Sequence, residues 1–255
     1  MKLGIIKQYK LGLVMLFGML LQSCVSTSPV GKNDVDAAQY NAQLGSRLLQ
    51  QGKLEQARDT LEKALAQDNK NALAHLTYGQ LQFVVEEPDT ARVHFKRAIA
   101  LEPKQASHRN AYGAFLCQMK EYDAAVAQFI EAGNDKFYET PEFAWDNAGV
   151  CMLDANQLDK ADGYLRKALQ LNPKFASSYL HMAELLYKRN RLTLADAYFQ
   201  RFMSYSNDTA ESLLLGIQIN RDTGKTVAAE QFANKLLNDF PTSREAGEYL
   251  SRPLQ

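Results

Sequence analysis

Apolar residues follow two different patterns along the chain. Near the start they form one uninterrupted run from Leu11 to Leu21, preceded by Lys2, Lys7 and Lys10. From Ala38 onward small and aromatic residues return at a fixed interval instead. Gly79 and Gly113 are 34 residues apart, as are Ala57 and Ala91, Ala91 and Ala125, Phe95 and Phe129, Ala64 and Ala98, Ala98 and Ala132, and Ala161 and Ala195. This predicts a repeated pair of helices, with Gly or Ala where the first helix of each pair crosses the second, because small residues let two helix axes come close. Between the two patterns, Ser26, Thr27, Ser28, Pro29, Gly31 and Asn33 show no periodicity and read as a flexible tether.

The interval is that of the tetratricopeptide repeat, and the marks resemble its pattern: a small residue at the crossing, an alanine and an aromatic on the second helix, a proline after it. The expected fold is therefore all-α, a superhelical solenoid of about six helix-turn-helix units plus a C-terminal capping helix, occupying residues 37–252. The units run 38–71, 72–105, 106–139, 142–175, 176–209 and 210–243. Unit three lacks its closing proline and has Phe137 in that place. The inserted Thr140 and Pro141 are expected to cap and open the next helix. Unit six is the most degenerate, with Ile217 at the small position. Thr242 and Glu245 resemble a capping box for a last helix, Arg244 to Ser251, ended by Pro253.

The N-terminal apolar run is eleven residues long. That suits a signal peptide, which needs about 7 to 15, better than a span, which needs about 20. Leu21-Gln22-Ser23-Cys24 resembles the bacterial lipobox, although Gln22 departs from it. The resemblance implies a signal peptide over 1–23, a lipid on Cys24, a lipidated tether over 24–36, and, with Val25 following, passage to the outer membrane. Lys and Arg number 29, as do Asp and Glu; without the three signal lysines the chain carries about −3, which argues against nucleic acid as a partner.

Enzyme chemistry finds little support. His75, His94, His108 and His181 are scattered without metal-ligand spacing, no glycine-rich phosphate loop or nucleophile elbow occurs, and Glu86-Glu87 reads as a solvated turn. No cofactor beyond the covalent lipid and no small-molecule substrate is expected. Cys117 and Cys151 occupy positions 12 and 10 of the first helices of neighbouring units. Two residues along a helix turn a side chain by about 200° and advance it about 3 Å, so the two thiols can face each other across one interface. A disulfide and a pair of small buried thiols both fit this register.

The repeat family places positions 2, 5, 9, 12 and 13 of each first helix on the concave side. In unit two these are Leu73, Leu76, Gln80, Phe83 and Val84; Leu49 belongs to the set in unit one, and Phe143, Asp146, Val150 and Asp154 in unit four. The expectation is an apolar groove for a partner segment, with Asp146 and Asp154 at its rim; a groove covered by the tether or an adjoining helix also fits.

Several stretches resemble one family more closely: Arg109-Asn110-Ala111-Tyr112-Gly113-Ala114-Phe115-Leu116-Cys117, Phe137-Tyr138-Glu139-Thr140-Pro141-Glu142, Asp146-Asn147-Ala148-Gly149-Val150-Cys151, Glu211 to Ile217, and Asp239-Phe240-Pro241. They are similar to the type IV pilus biogenesis and stability lipoproteins of the PilF/PilW type, tetratricopeptide pilotins of Gram-negative bacteria. The resemblance implies a non-enzymatic, periplasm-facing outer-membrane lipoprotein that binds the pilus secretin in its groove, reaches the membrane through the acyl anchor, and supports secretin multimerisation or pilus stability. The alternative is a periplasmic repeat lipoprotein that recruits peptidoglycan hydrolases or proteases.

Overall fold

The structure, a computed structural model, describes residues 31–251; the expected signal segment, Cys24 and Pro253 lie outside the described residues. The described residues form thirteen α-helices and no strand. Unit one is α1 (Lys32–Gln50) and α2 (Leu54–Gln67), unit two α3 (Ala72–Val84) and α4 (Pro88–Leu101), unit three α5 (Ala106–Gln118) and α6 (Tyr122–Gly133). Unit four is α7 (Pro141–Asp154) and α8 (Leu158–Leu171), unit five α9 (Ala176–Lys188) and α10 (Leu192–Met203), unit six α11 (Ala210–Asp222) and α12 (Thr226–Asp239). The closing helix is α13 (Arg244–Ser251).

Each pair is made by one crossing and one turn. At the crossing, a Cβ built on Gly149 would lie 2.5 Å from the Leu165 side chain, and one on Gly113 would lie 2.7 Å from Phe129. No side chain fits there, so the bulk comes from the second helix. The sixth unit reverses the sizes: Ile217 stands at the small position, and Ala233 stands where the other units have Leu or Phe. At the turn, position 15 of every unit is left-handed: Gly52, Glu86, Lys120, Asn156, Asn190 and Gly224 all have φ between 55° and 75°. That conformation reverses the chain in three residues whatever side chain stands there.

Neighbouring units meet where the first helix of each unit packs on both helices of the unit before it. Among the described residues α1, α3, α5, α7, α9 and α11 touch in succession, whereas the second helices of adjacent units do not touch each other. The stack therefore curves with the first helices inside and the second helices splayed outside. Salt bridges tie the splayed outer layer to the turn of the following unit. Arg92 meets Glu121 at 2.5 Å, and Asp196 meets Lys225 at 2.6 Å from the same two repeat positions with the charges exchanged.

The joint between units three and four is the most heavily fastened. Cys117 of α5 and Cys151 of α7 are joined as a disulfide, with Cα atoms 5.7 Å apart. Trp145 lies over Gly133, where a Cβ would come within 2.5 Å of the indole, and its Nε1–H donates to the Gly133 carbonyl at 3.1 Å. Asn147 donates to Asn110 at 3.0 Å. The inserted residues and Phe137, which is 93% exposed, lie in or at the end of the long connection between α6 and α7.

Three local expectations need correction. Helix α1 starts at Lys32, so residues 32–36 of the expected tether are helical; the Asp34 carboxylate accepts the Gly31 N–H at 3.3 Å and places an acid in the first turn, where the helix dipole favours it. Thr140 stands at the N-cap of α7, with Pro141 opening the helix, but its hydroxyl makes no cap hydrogen bond. The cap of α13 is Ser243 rather than Thr242: its Oγ accepts from the Ala246 N–H at 3.0 Å, while Glu245 turns to Arg244. Ala246 then closes the apolar end of unit six against Leu213, Ile217 and Leu236.

Candidate functional site

The inner surface changes character along its length. In its N-terminal half, Leu49, Leu73, Leu76, Gln80 and Phe83 are half-buried and Val84 is 53% exposed. Four of them are fixed from below: Leu49 packs on the Leu61 and Leu81 cluster, Leu73 on Ala42, Ala64 and Ala74, and Leu76 and Phe83 on the cluster around Phe95 and Phe115. The Phe83 ring meets Phe115 edge-on at 5.3 Å, and the Arg92 guanidinium lies 5.2 Å from the Phe115 ring. A stripe of side chains held firmly on one side and wet on the other can receive an apolar partner without rearrangement.

The unit-four residues do not extend this stripe as a group. Val150 is half-buried, but Phe143 sits at the start of α7 with its ring 4.7 Å from Phe175, at the edge of the surface. Asp146 is not a rim residue. It is 4% exposed, and its Oδ1 accepts from Ser178 Oγ at 2.6 Å and from His181 Nδ1 at 3.0 Å. Position 5 of one first helix faces position 6 of the next: Asn110 meets Asn147, and Asp146 meets His181. A carboxylate there is drawn into the joint between helices, because burying it without donors would be costly.

Ser178 and His181 are therefore structural parts of the inner surface that repeat positions alone do not reveal; the signal available was an Asp at a position that is Leu76 and Leu180 in other units. Burial works against charge on the His181 imidazole, but the hydrogen bond and charge of Asp146, reinforced by Glu211 and Glu184, raise its pKa overall. Asp154 stays exposed at the rim; burial of its carboxyl, then the charge of Glu184, pushes its pKa up. From α7 onward the inner surface is thus more acidic and polar than the stripe before it.

Among the described residues, no group of three or more His, Cys, Asp or Glu side chains is placed to hold a metal. His75 and His94, remote in sequence, meet inside unit two with their Nδ1 atoms 3.1 Å apart. Burial lowers the pKa of both, that of His94 to about 4, with the charge of His75 as the second cause. Glu86 and Glu87 are exposed in the turn before α4. No helix among the described residues is long and apolar enough to cross a membrane.

A family model described as TPR repeat matches residues 45–83. The type IV pilus assembly protein PilF of Pseudomonas aeruginosa is 31% identical over 242 residues, 93% of this chain and 96% of that one. The solved structure of Pseudomonas aeruginosa PilF superposes with a TM-score of 0.70 at 32% identity, covering 86% of this chain and 99% of that one. PilW, described as a widely conserved type IV pilus biogenesis factor, superposes with a TM-score of 0.72 at 30% identity, covering 84% and 98%. The likeness is to repeat scaffolds rather than to enzymes. Identity at this level over nearly the whole of both chains, in the same stacked-repeat fold, shows that the chain belongs to the PilF family of type IV pilus assembly proteins.

Proposed function

We propose that this chain is a lipid-anchored adaptor of type IV pilus biogenesis. Cys24 carries the lipid and holds it on the periplasmic side of the outer membrane, and the N-terminal half of the inner surface takes a segment of the pilus secretin. Binding would bring the secretin to the outer membrane, promote its multimerisation and support pilus stability. The observation that carries this reading is the full-length likeness to PilF and PilW, two proteins of pilus assembly. The apolar stripe supports it physically. Covering Leu73, Leu76, Phe83 and Val84 adds stabilisation at about 25 cal/mol per Å² of apolar surface removed from water, offset by the ordering of the bound segment. A disulfide between Cys117 and Cys151 suits an oxidising compartment such as the periplasm.

The test is a deletion strain scored for pili and, by blots of separated membranes, for secretin multimers. The expected result is loss of pili and of outer-membrane multimers, restored by the wild-type gene and not by Phe83→Glu. Cys24→Ser should release the protein from the membrane and mislocalise the secretin. Normal piliation and normal multimers in the deletion strain would overturn the proposal and favour an adaptor for cell-wall enzymes.

A further inference from the structure

Position 4 of each unit faces the second helix of its own unit, and in three consecutive units the space beside it is filled. His75 meets His94, and Arg109 pairs with Glu131 at 3.0 Å. Trp145 stacks on Tyr164 at 5.9 Å, with the Lys167 ammonium 3.4 Å from the indole centroid. Unit five differs. The Tyr179 hydroxyl donates to the Pro173 carbonyl at 3.1 Å, and its ring lies 5.7 Å from Tyr205 and 6.0 Å from Tyr198. Arg201, the counterpart of Lys167, has no ion pair, side-chain hydrogen bond or ring contact among the described residues. What remains, in the gap between the splayed helices α8 and α10, is a cavity of about 460 Å³.

Its walls are Tyr179, Tyr198, Leu169 and Ala197, with Arg166 and Arg201 contributing charge and no acidic residue in the lining. Asp162 holds Arg166 at 2.8 Å through Nε, so the guanidinium is oriented but not fully engaged. Two guanidiniums beside tyrosine faces suit a planar anion attached to an apolar group, because a guanidinium fork matches a carboxylate and a phenol ring offers rigid contact area. We propose that this pocket binds an acidic peptide segment of a partner protein, a carboxylate meeting Arg201 and Arg166 while the neighbouring apolar side chain lies on Tyr179 and Tyr198. It opens on the outer layer, so it operates apart from the inner stripe and gives the scaffold a second point of attachment.

The test is nuclear magnetic resonance of the isotope-labelled full chain in detergent micelles, titrated with the acetylated, amidated peptide Glu-Leu-Glu-Phe. Saturable amide shifts are expected at Tyr179 and across 197–201, with none from the peptide Lys-Leu-Lys-Phe. Arg201→Gln should weaken the response about tenfold, the loss of one charge-assisted contact. Ala197 is exposed, and Ala197→Glu, which adds a carboxylate at the rim, should abolish the response with circular dichroism unchanged. Undiminished binding by both variants, an equal response to the basic peptide, or shifts confined to residues 73–84 would overturn the proposal. A response to inorganic phosphate or to anionic vesicles as strong as that to the acidic peptide would overturn it as well.

Discussion

Ile217 and Ala233 occupy the crossing of the last unit in the reverse order of size found in every earlier one. Both are buried in the cluster that α13 closes. Large on the first helix and small on the second fills the crossing as well as small on the first and large on the second, provided the two change together. Ile217→Ala should cost about 2–4 kcal/mol through the cavity it leaves, and Ala233→Leu about 1–3 kcal/mol through overpacking. Made together they should cost less than the sum by about 1–2 kcal/mol, since the residues share one space. Urea unfolding midpoints of the four proteins check this, and strict additivity would show that the sites are independent.

Lys120 holds the left-handed turn of unit three at φ 61° with a side chain, where units one and six use glycine. An L-residue there costs about 1–2 kcal/mol of backbone strain, partly offset by the greater freedom glycine has when unfolded. Lys120→Gly should raise stability by about 0.5–1 kcal/mol, seen as a higher thermal midpoint. A fall would mean that the lysine makes a compensating contact.

Removing the Cys117–Cys151 bond opens a loop of 34 residues. Cys117→Ala with Cys151→Ala should lower stability by about 3–4 kcal/mol, less any strain that is relieved. Alkylation of the unfolded, unreduced protein should label neither of these thiols. Two labelled thiols would remove the bond from the account.

Acid should act on the fold through the buried histidines of units two and three, His75, His94 and His108, whose pKa values burial lowers. His94 and His75 are neutral in the folded protein with pKa values below the ordinary 6.5, so the unfolded chain binds more protons as pH falls. Stability should therefore decline from pH 6.5 towards about 4, the folded value of His94. His181 has the opposite sign: its raised pKa gives a contribution fully present below 6.5 and lost as pH rises through the folded value. Urea midpoints at pH 7 and pH 5 should fall for the wild type and fall less for His94→Gln. An equal decline in both would assign the acid sensitivity elsewhere.

Much of the fold is legible in the sequence because a crossing tolerates few residue types: Gly113 and Gly149 mark it by having no side chain, and the alanines of the second helices repeat with them. The starting residues of units two, three, five and six could be placed for the same reason. Contacts between units were harder to see. Asp146 reads as a surface residue until Ser178 and His181, more than thirty residues away, supply its donors. The start of α1 was hidden because Asn33 and Asp34, typical of turns, also suit the first turn of a helix. The pocket at Arg201 depends on where Tyr179 turns, which no periodicity encodes.

The fastenings between α5, α6 and α7 also decide how the stack comes apart. A solenoid holds each unit only by its neighbours, so it can fray from either end one unit at a time. Here fraying meets a covalent stop in the middle, reinforced by the Trp145 indole over Gly133. The apolar stripe lies on one side of that stop and the tyrosine-lined pocket on the other. A pull applied at one arm therefore reaches the other through a closed joint, and either arm can loosen without unravelling its counterpart.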